Sequence, residues 1–422
     1  MPEAAPARPQ SRPEPQLRYA SEERGLEYLT AVVRGFHEDY QGEYWEELNR
    51  RWPEWDRSFG FTVGDRWVAT CAANTRTMTV PGGTVPTAGV TVVTVSADHR
   101  RRGLLTAMMK HQLEDVARRH EPVALLWASE SLIYGRFGYG STAPRLSLSG
   151  QTRALAFRPS VDLGDGWIEE VTPQEYAVAA PLLHARLLPD RPGALNRTQV
   201  WWDRVLHDPK EERNGASSYR FALHRSSAGD VDGYAQYRVK PAWEPDGPAD
   251  ELRINELDAA NGPARAAVWR HLLDLDLVRT FTLEHAPIDE PLRYLVADQR
   301  AVRSQLYDST YVRIVDVPGA LEARRYATDL DVVVEIRDGL LPRNNARFRV
   351  GATAGGAVEV RRVRRKPDLS LDIRELGAGY LGGVSLRTLV SAGLVEEHTS
   401  GSAAAMTMAF ESDQLPFCPD HF

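Results

Sequence analysis

The sequence predicts an α+β protein built as three consecutive units, on three observations. At 422 residues the chain is longer than one core organises. Helix, strands, a basic glycine-marked turn, an amphipathic helix and a buried strand succeed one another in the first part, and the order restarts at Trp167 without the arginines. From about Leu306 the pattern changes to alternating strands with two helical stretches. The expected boundaries are a disordered leader at 1–17, then units at 18–158, 159–305 and 306–422.

Each element has its own signal. Residues 21–36 place Leu26, Tyr28, Leu29, Val32, Val33 and Phe36 at helical spacing, with Glu22 and Glu23 in the first turn. A second helix is expected at 44–52, then strands near 59–63, 66–76 and 77–80, a Pro81-Gly82-Gly83 turn and a strand at 88–96. After Gly103, Leu104, Leu105, Met108, Met109, Leu113 and Val116 share one helix face, and 123–128 is an apolar run suited to a strand buried on both sides. The restarted pattern gives a helix at 173–188, strands at 219–225, 233–239 and 251–257, a helix at 264–275 and a strand at 278–284. The last unit reads as strands at 311–317, 331–336, 347–350, 357–362 and 369–373, with helices near 318–325 and 385–392.

The composition, 42% apolar and 26% charged, is that of a soluble globular protein. A net charge of −7 argues against a general nucleic-acid binder and leans toward cationic small molecules. Cys71 and Cys418 form neither a metal-ligand spacing nor a disulfide framework, which fits a reducing cytoplasm. The histidines, His99 and His120 among them, show no ligand spacing, so no metal is expected. Residues 1–16 lack the apolar centre of a signal peptide, and no segment approaches the roughly 20 apolar residues of a membrane span.

The stretch from Val93 to Leu105 runs from a β-branched strand through Arg100-Arg101-Arg102-Gly103 into a helix, which is the architecture of an anion site. A strand-to-helix turn aims free backbone N–H groups outward at the positive end of a helix dipole, and arginines add donors suited to a pyrophosphate. In the second unit the corresponding turn, Asp258 to Pro263, has no arginine cluster, and Pro263 removes a backbone donor. That copy is expected to be inert toward phosphate.

Val93 to Leu105, Ser129-Glu130 and Ile133-Tyr134-Gly135-Arg136-Phe137-Gly138-Tyr139-Gly140 together resemble the enhanced intracellular survival (Eis) acetyltransferases. The resemblance implies two GNAT acetyltransferase domains followed by a sterol-carrier-protein-like domain. It implies acetyl-CoA as co-substrate, with Val93, Thr94 and Val95 receiving pantetheine and acetyl group. Arg100, Arg101, Arg102, Gly103, Leu104, Leu105 and Thr106 would form the pyrophosphate turn, and Ser129 with Glu130 would line the far side. Leu105 replaces the small residue that ends the general GNAT motif.

Transfer of acetyl from a thioester to an amine needs an oxyanion donor, an acid and a base. The backbone of 93–95 offers the donor, and Tyr134 is the candidate acid for the departing sulfur. The resemblance assigns the base to the α-carboxylate of Phe422, whose ordinary pKa of about 3.3–3.7 burial would have to raise. Phe36, Glu38, Val92 and His421 are carried over as the acceptor-binding set; Val92 stands where an aromatic can occur and His421 where an acid can. The implied enzyme acetylates aminoglycoside-like or polyamine-like amines and assembles as a hexamer. A protein lysine acetyltransferase and a lipid or sterol carrier acting through the last domain are the alternatives.

Overall fold

The computed structural model describes residues 13–39 and 53–422. The expected helix at 44–52 and the leader up to residue 12 lie outside them. One compact unit holds the described residues up to Thr75 together with Gly89–Asp115; the other holds Arg76–Ala88 and Val116–Phe422.

In the first unit the strands follow the order β1 (Gln16–Tyr19), β2 (Ser58–Val63), β3 (Arg66–Val80) and β4 (Gly83–Val95), the far ends of β3 and β4 belonging to the other unit. Gln16 and Leu17 pair with Thr62 and Phe61, so the leader ends before the expected residue 17. Four residues on an exposed edge carry little pattern of their own, and only the pairing reveals them. β3 is continuous where two strands were expected, because no turn-forming residue separates Arg76 from Thr77. Helix α1 (Gly25–Gly35) buries Tyr28, Leu29, Val32 and Val33, and the Tyr28 ring meets Trp67 edge-on at 5.1 Å. Leu104 and Met108 of α2 (Leu104–Arg118) pack with Phe59, Val68 and Cys71.

The second unit contains a sheet with strand order β5-β14-β6-β13-β12-β9-β8-β7. Its members are β5 (Val123–Trp127), β6 (Gly140–Gln151), β7 (Trp167–Val171), β8 (Arg220–Arg225), β9 (Val231–Lys240), β12 (Asp250–Ala259), β13 (Val278–Ala286) and β14 (Arg303–Ile314); β10 (Trp243–Glu244) and β11 (Gly247–Pro248) form a small separate hairpin. Short α3 (Ser131–Tyr134) follows β5, and α4 (Pro173–Leu187) and α5 (Gln199–Val205) lie between β7 and β8. Parallel β12 and β13 are joined by α6 (Gly262–Leu273), whose Trp269 is fully buried against Phe281. The strand expected at 311–317 starts at Arg303 and pairs with β5 and β6. Alternation announced a strand there, but strand partners are a nonlocal choice.

The last sheet has the order β17-β16-β15-β18-β19, with β15 (Leu330–Arg337), β16 (Ala346–Ala352), β17 (Val358–Arg362), β18 (Leu369–Asp372) and β19 (Val395–Glu397). Helices α7 (Ile373–Gly379) and α8 (Ser402–Phe410) accompany it, as do shorter helices at Val317–Glu322 and Leu386–Ser391. The fold is thus α+β throughout. The chain leaves α8 at Glu411 and runs as irregular backbone to Phe422.

Candidate active site

The basic turn is strained where a ligand would approach. Val92, near the end of β4, has φ +48, and Arg101 and Gly103, between β4 and α2, have φ +61 and +79, so the backbone enters the left-handed region three times on the way into α2. A β-branched residue rarely adopts that conformation, and such strain concentrates at sites of function. Thr70 stabilises the distorted strand: its hydroxyl bonds the Val92 carbonyl at 2.8 Å and the Thr94 hydroxyl at 2.7 Å. The Gly103 carbonyl accepts from the Ala107 amide at 3.0 Å, so α2 starts immediately after the turn, where the first amides of a helix have no partner within it and can serve an anion.

Charge at this turn is available. Arg100, Arg101 and Arg102 are exposed, and none pairs with a carboxylate among the described residues. Asp98, the acid closest in sequence, is taken by Arg66 at 2.8 Å and His99 at 3.0 Å, which hold its carboxyl well below the usual range. A cleft of about 720 Å³ opens beside the turn, lined by Leu26, Thr30, Arg34, Trp67, Val95 and Arg100 among others. The end of α1 lies against β4 so closely that a Cβ on Gly35 would stand 2.4 Å from the Thr94 side chain. Phe36 and Glu38, both exposed, follow directly from that helix end.

In the second unit Ser129 and Glu130 are exposed and Tyr134 is buried, its ring edge-on to Tyr139 at 6.0 Å. The glycines of this block have a reason that sequence reading missed. Gly138, at φ +82, faces the Arg313 guanidinium, which donates to the Phe137 carbonyl at 2.7 Å and to both Asp338 oxygens at 2.7 and 2.8 Å. Burial would raise Asp338, but Arg313 holds its carboxyl low. A Cβ on Gly140 would sit 2.0 Å from the Arg374 carbonyl. The turn carrying Tyr134 is therefore bolted to the last domain through glycines that leave room for its backbone and for a buried ion pair.

The chain's last residues are held as firmly. Asp420 is almost fully buried and accepts from Arg76 and from Arg197, each at 2.7 Å. Arg197 also meets both oxygens of Glu256 at 3.1 Å, and Tyr234 donates to Glu256 at 2.7 Å. Burial would raise Asp420, yet Arg197 and Arg76 keep it low. Buried Phe422 lies edge-on to Trp201 at 6.3 Å, and the Arg76 guanidinium covers that indole at 4.1 Å. His421 is exposed overall and packs on Trp127 at 5.1 Å; desolvation of its ring, then Arg204 and Arg145, lower its pKa. Asp420 carried no sequence signal, since its partner Arg76 lies 344 residues away.

The corresponding turn of the repeat is occupied by its own chain. The Asn261 side chain caps α6 by accepting from the Ala264 amide at 2.8 Å, and Arg265 is consumed by Asp258 at 2.9 Å and Glu290 at 2.7 Å. The cap and the two ion pairs use up the helix start and the cation that an anion would need there.

Comparison with known proteins matches these parts in the same order. Residues 16–142 and 193–314 each match an acetyltransferase (GNAT) domain model, and residues 317–419 match a sterol carrier protein domain. An uncharacterized N-acetyltransferase of Streptomyces avermitilis is 41% identical over 396 residues, 94% of this chain and 96% of that protein. N-acetyltransferase Eis of Mycobacterium tuberculosis is 35% identical over 347 residues, 80% of this chain and 81% of that one. The chain belongs to the Eis family of GNAT N-acetyltransferases. The crystal structure of Eis1 from Mycobacterium abscessus covers 97% of this chain and 100% of its own, with a TM-score of 0.81 at 33% identity. A GCN5-related N-acetyltransferase from Anabaena variabilis shares the fold at a TM-score of 0.83 and 20% identity.

As an Eis-family GNAT enzyme the protein is an acyltransferase, and the family implies acetyl-CoA as its acyl donor. The exposed arginines and open helix start of the β4–α2 turn fit a pyrophosphate. No helix among the described residues is long and apolar enough to cross a membrane.

Proposed function

We propose that the protein transfers acetyl from acetyl-CoA directly to a primary amine of a cationic, aminoglycoside-like or polyamine-like acceptor. The observation that carries the reading is the β4–α2 turn, where three exposed guanidiniums without carboxylate partners among the described residues meet a free helix start after a strand distorted at Val92. Acetyl-CoA supplies an activated thioester. The amides of residues 93–95 stabilise charge on the carbonyl oxygen as the amine lone pair attacks carbon and the C–S bond breaks. Tyr134 gives its hydroxyl proton to the departing sulfur, and the Phe422 carboxylate removes the proton of the attacking nitrogen, directly or through a water. Phe36, Glu38, Val92 and His421 contact the acceptor, and Ser129 with Glu130 flank the cofactor. The second GNAT unit serves as scaffold, and the enzyme works in the cytoplasm as a hexamer.

The test is thiol release from acetyl-CoA with polyamines, aminoglycosides and a lysine peptide, for the natural chain, Tyr134→Phe and a chain lacking Phe422. The expected result is turnover with the small polyamines or aminoglycosides and a loss of about 100-fold or more in kcat for either variant. Full activity without Phe422 would remove the base from this account. Turnover with the peptide alone would make the protein a lysine acetyltransferase.

A further inference from the structure

The carboxylate two residues before Phe422 is gripped by two arginines, and this has a consequence for Phe422 itself. Asp420, Arg76 and Arg197 are all about 95% buried or more, so their charges act on one another with little solvent screening. Arg76 spends one nitrogen on the Asn196 carbonyl and Asp420, both at 2.7 Å, while its Nε and Nη1 are buried with no hydrogen-bond partner among the described residues. Unpaired buried donors are costly and will take any acceptor within reach. Trp201 links this cation to the chain's last residue, because the Arg76 guanidinium lies over its ring and the Phe422 ring meets the same indole at 6.3 Å.

We propose that Asp420 is a positioning residue: by neutralising the buried charges of Arg76 and Arg197 it keeps them from holding the Phe422 carboxylate as a low-pKa anion and leaves that carboxylate able to accept a proton from the acceptor amine. This rests on the reading of Phe422 as the base. The surroundings support it from each packed element. Arg204 of α5 stacks on the same Trp201 indole and senses both Asp420 and Arg76, with exposed Glu212 as its further acidic neighbour. His184 of α4, which burial and Arg197 keep toward the neutral form, adds no settled positive charge. Glu256 and Tyr234 answer Arg197 from the sheet, and the Cys418 thiol, raised to about 12 by burial and Asp420, contributes none. Asp420 is therefore the acid shared by Arg76 and Arg197, and removing its charge leaves the field of both guanidiniums uncompensated two residues from the Phe422 carboxylate.

The full chain is prepared with phenylalanine labelled with ¹³C at the carboxyl carbon; of the 11 phenylalanines only a terminal one titrates, and deletion of Phe422 identifies its signal. In Asp420→Asn the titration midpoint is expected to fall by about one pH unit or more, because the uncompensated guanidiniums favour the anion. The acidic limb of the kcat profile moves with it, and kcat falls about tenfold while the KM for acetyl-CoA stays within about twofold. Asp420→Glu, which keeps the charge, holds the midpoint. Arg76→Gln raises it, and decides the matter should Asp420→Asn fail to fold. An unchanged or raised midpoint in folded Asp420→Asn, or no rise in Arg76→Gln, overturns the proposal. A shifted midpoint together with full activity after deletion of Phe422 upholds the role of Asp420 and overturns instead the reading of Phe422 as base.

Discussion

Two glycines three residues apart should respond to the same substitution with opposite signs. Gly138 has φ +82, and a Cβ there would lie 2.7 Å from both Arg313 Nε and Ile373 Cγ2. Arg313 cannot move aside, since it is fully buried and donates to the Phe137 carbonyl at 2.7 Å, the Ile314 carbonyl at 2.6 Å and Asp338 at 2.7 and 2.8 Å. Gly138→Ala therefore combines the left-handed backbone cost of about 1–2 kcal/mol with an overpacking cost of about 1–3 kcal/mol. The sum, about 2–5 kcal/mol, corresponds to a fall in Tm of about 3–7 °C for a unit of this size. Gly135 has φ −56, and its nearest neighbour to a Cβ is Arg374 Cδ at 3.5 Å, an ordinary contact. Gly135→Ala should stabilise by about 0.4–1 kcal/mol through the unfolded state. Thermal unfolding and kcat are measured on both variants. Displacement of the turn bearing Tyr134 should cost Gly138→Ala about tenfold or more in kcat, with Gly135→Ala near the natural value. Equal Tm values for the two variants would refute the argument.

Two other expectations concern charge. Arg101→Ala and Arg102→Ala should each raise the KM for acetyl-CoA about tenfold with little change in kcat, and the natural enzyme's KM should rise with salt while the double variant's rises less; loss of kcat alone would remove the turn from cofactor binding. His285, lowered to about 4 by burial, Arg145 and His421, is neutral in the folded protein at pH 7. The unfolded chain binds a proton there below about pH 6.5, so this contribution to stability is full above that value and is lost as pH falls toward 4. Denaturant midpoints at pH 7 and 5 should differ less in His285→Gln than in the natural chain, and an equal difference would exclude His285 as the cause.

The order of elements was legible because helix and strand periods are local. The run from Val93 to Leu105 announced a basic strand-to-helix turn for the same reason: strand, arginines, glycine and helix start are neighbours in the chain. Val92 shows where that reading stops, since its positive φ follows from how β4 is held by Thr70 and not from its own preferences. Gly138 stands in the block that carries the family resemblance, but its reason is Arg313, which lies 176 residues beyond the Phe137 carbonyl it binds and is invisible to any local pattern. The strand at Arg303–Ile314 was visible as a strand but not as a partner of β5 and β6.

By itself, then, the sequence determined the three-part α+β order, the family, the basic turn and the loss of that turn's arginines in the repeat. Tertiary structure alone decided that the turn bearing Tyr134 is anchored by Arg313 and Asp338, and that Asp420 closes on Arg76 and Arg197. The physical reason is common to both cases: a buried charge is stable only beside a countercharge, and which distant residue supplies it is fixed when the elements pack.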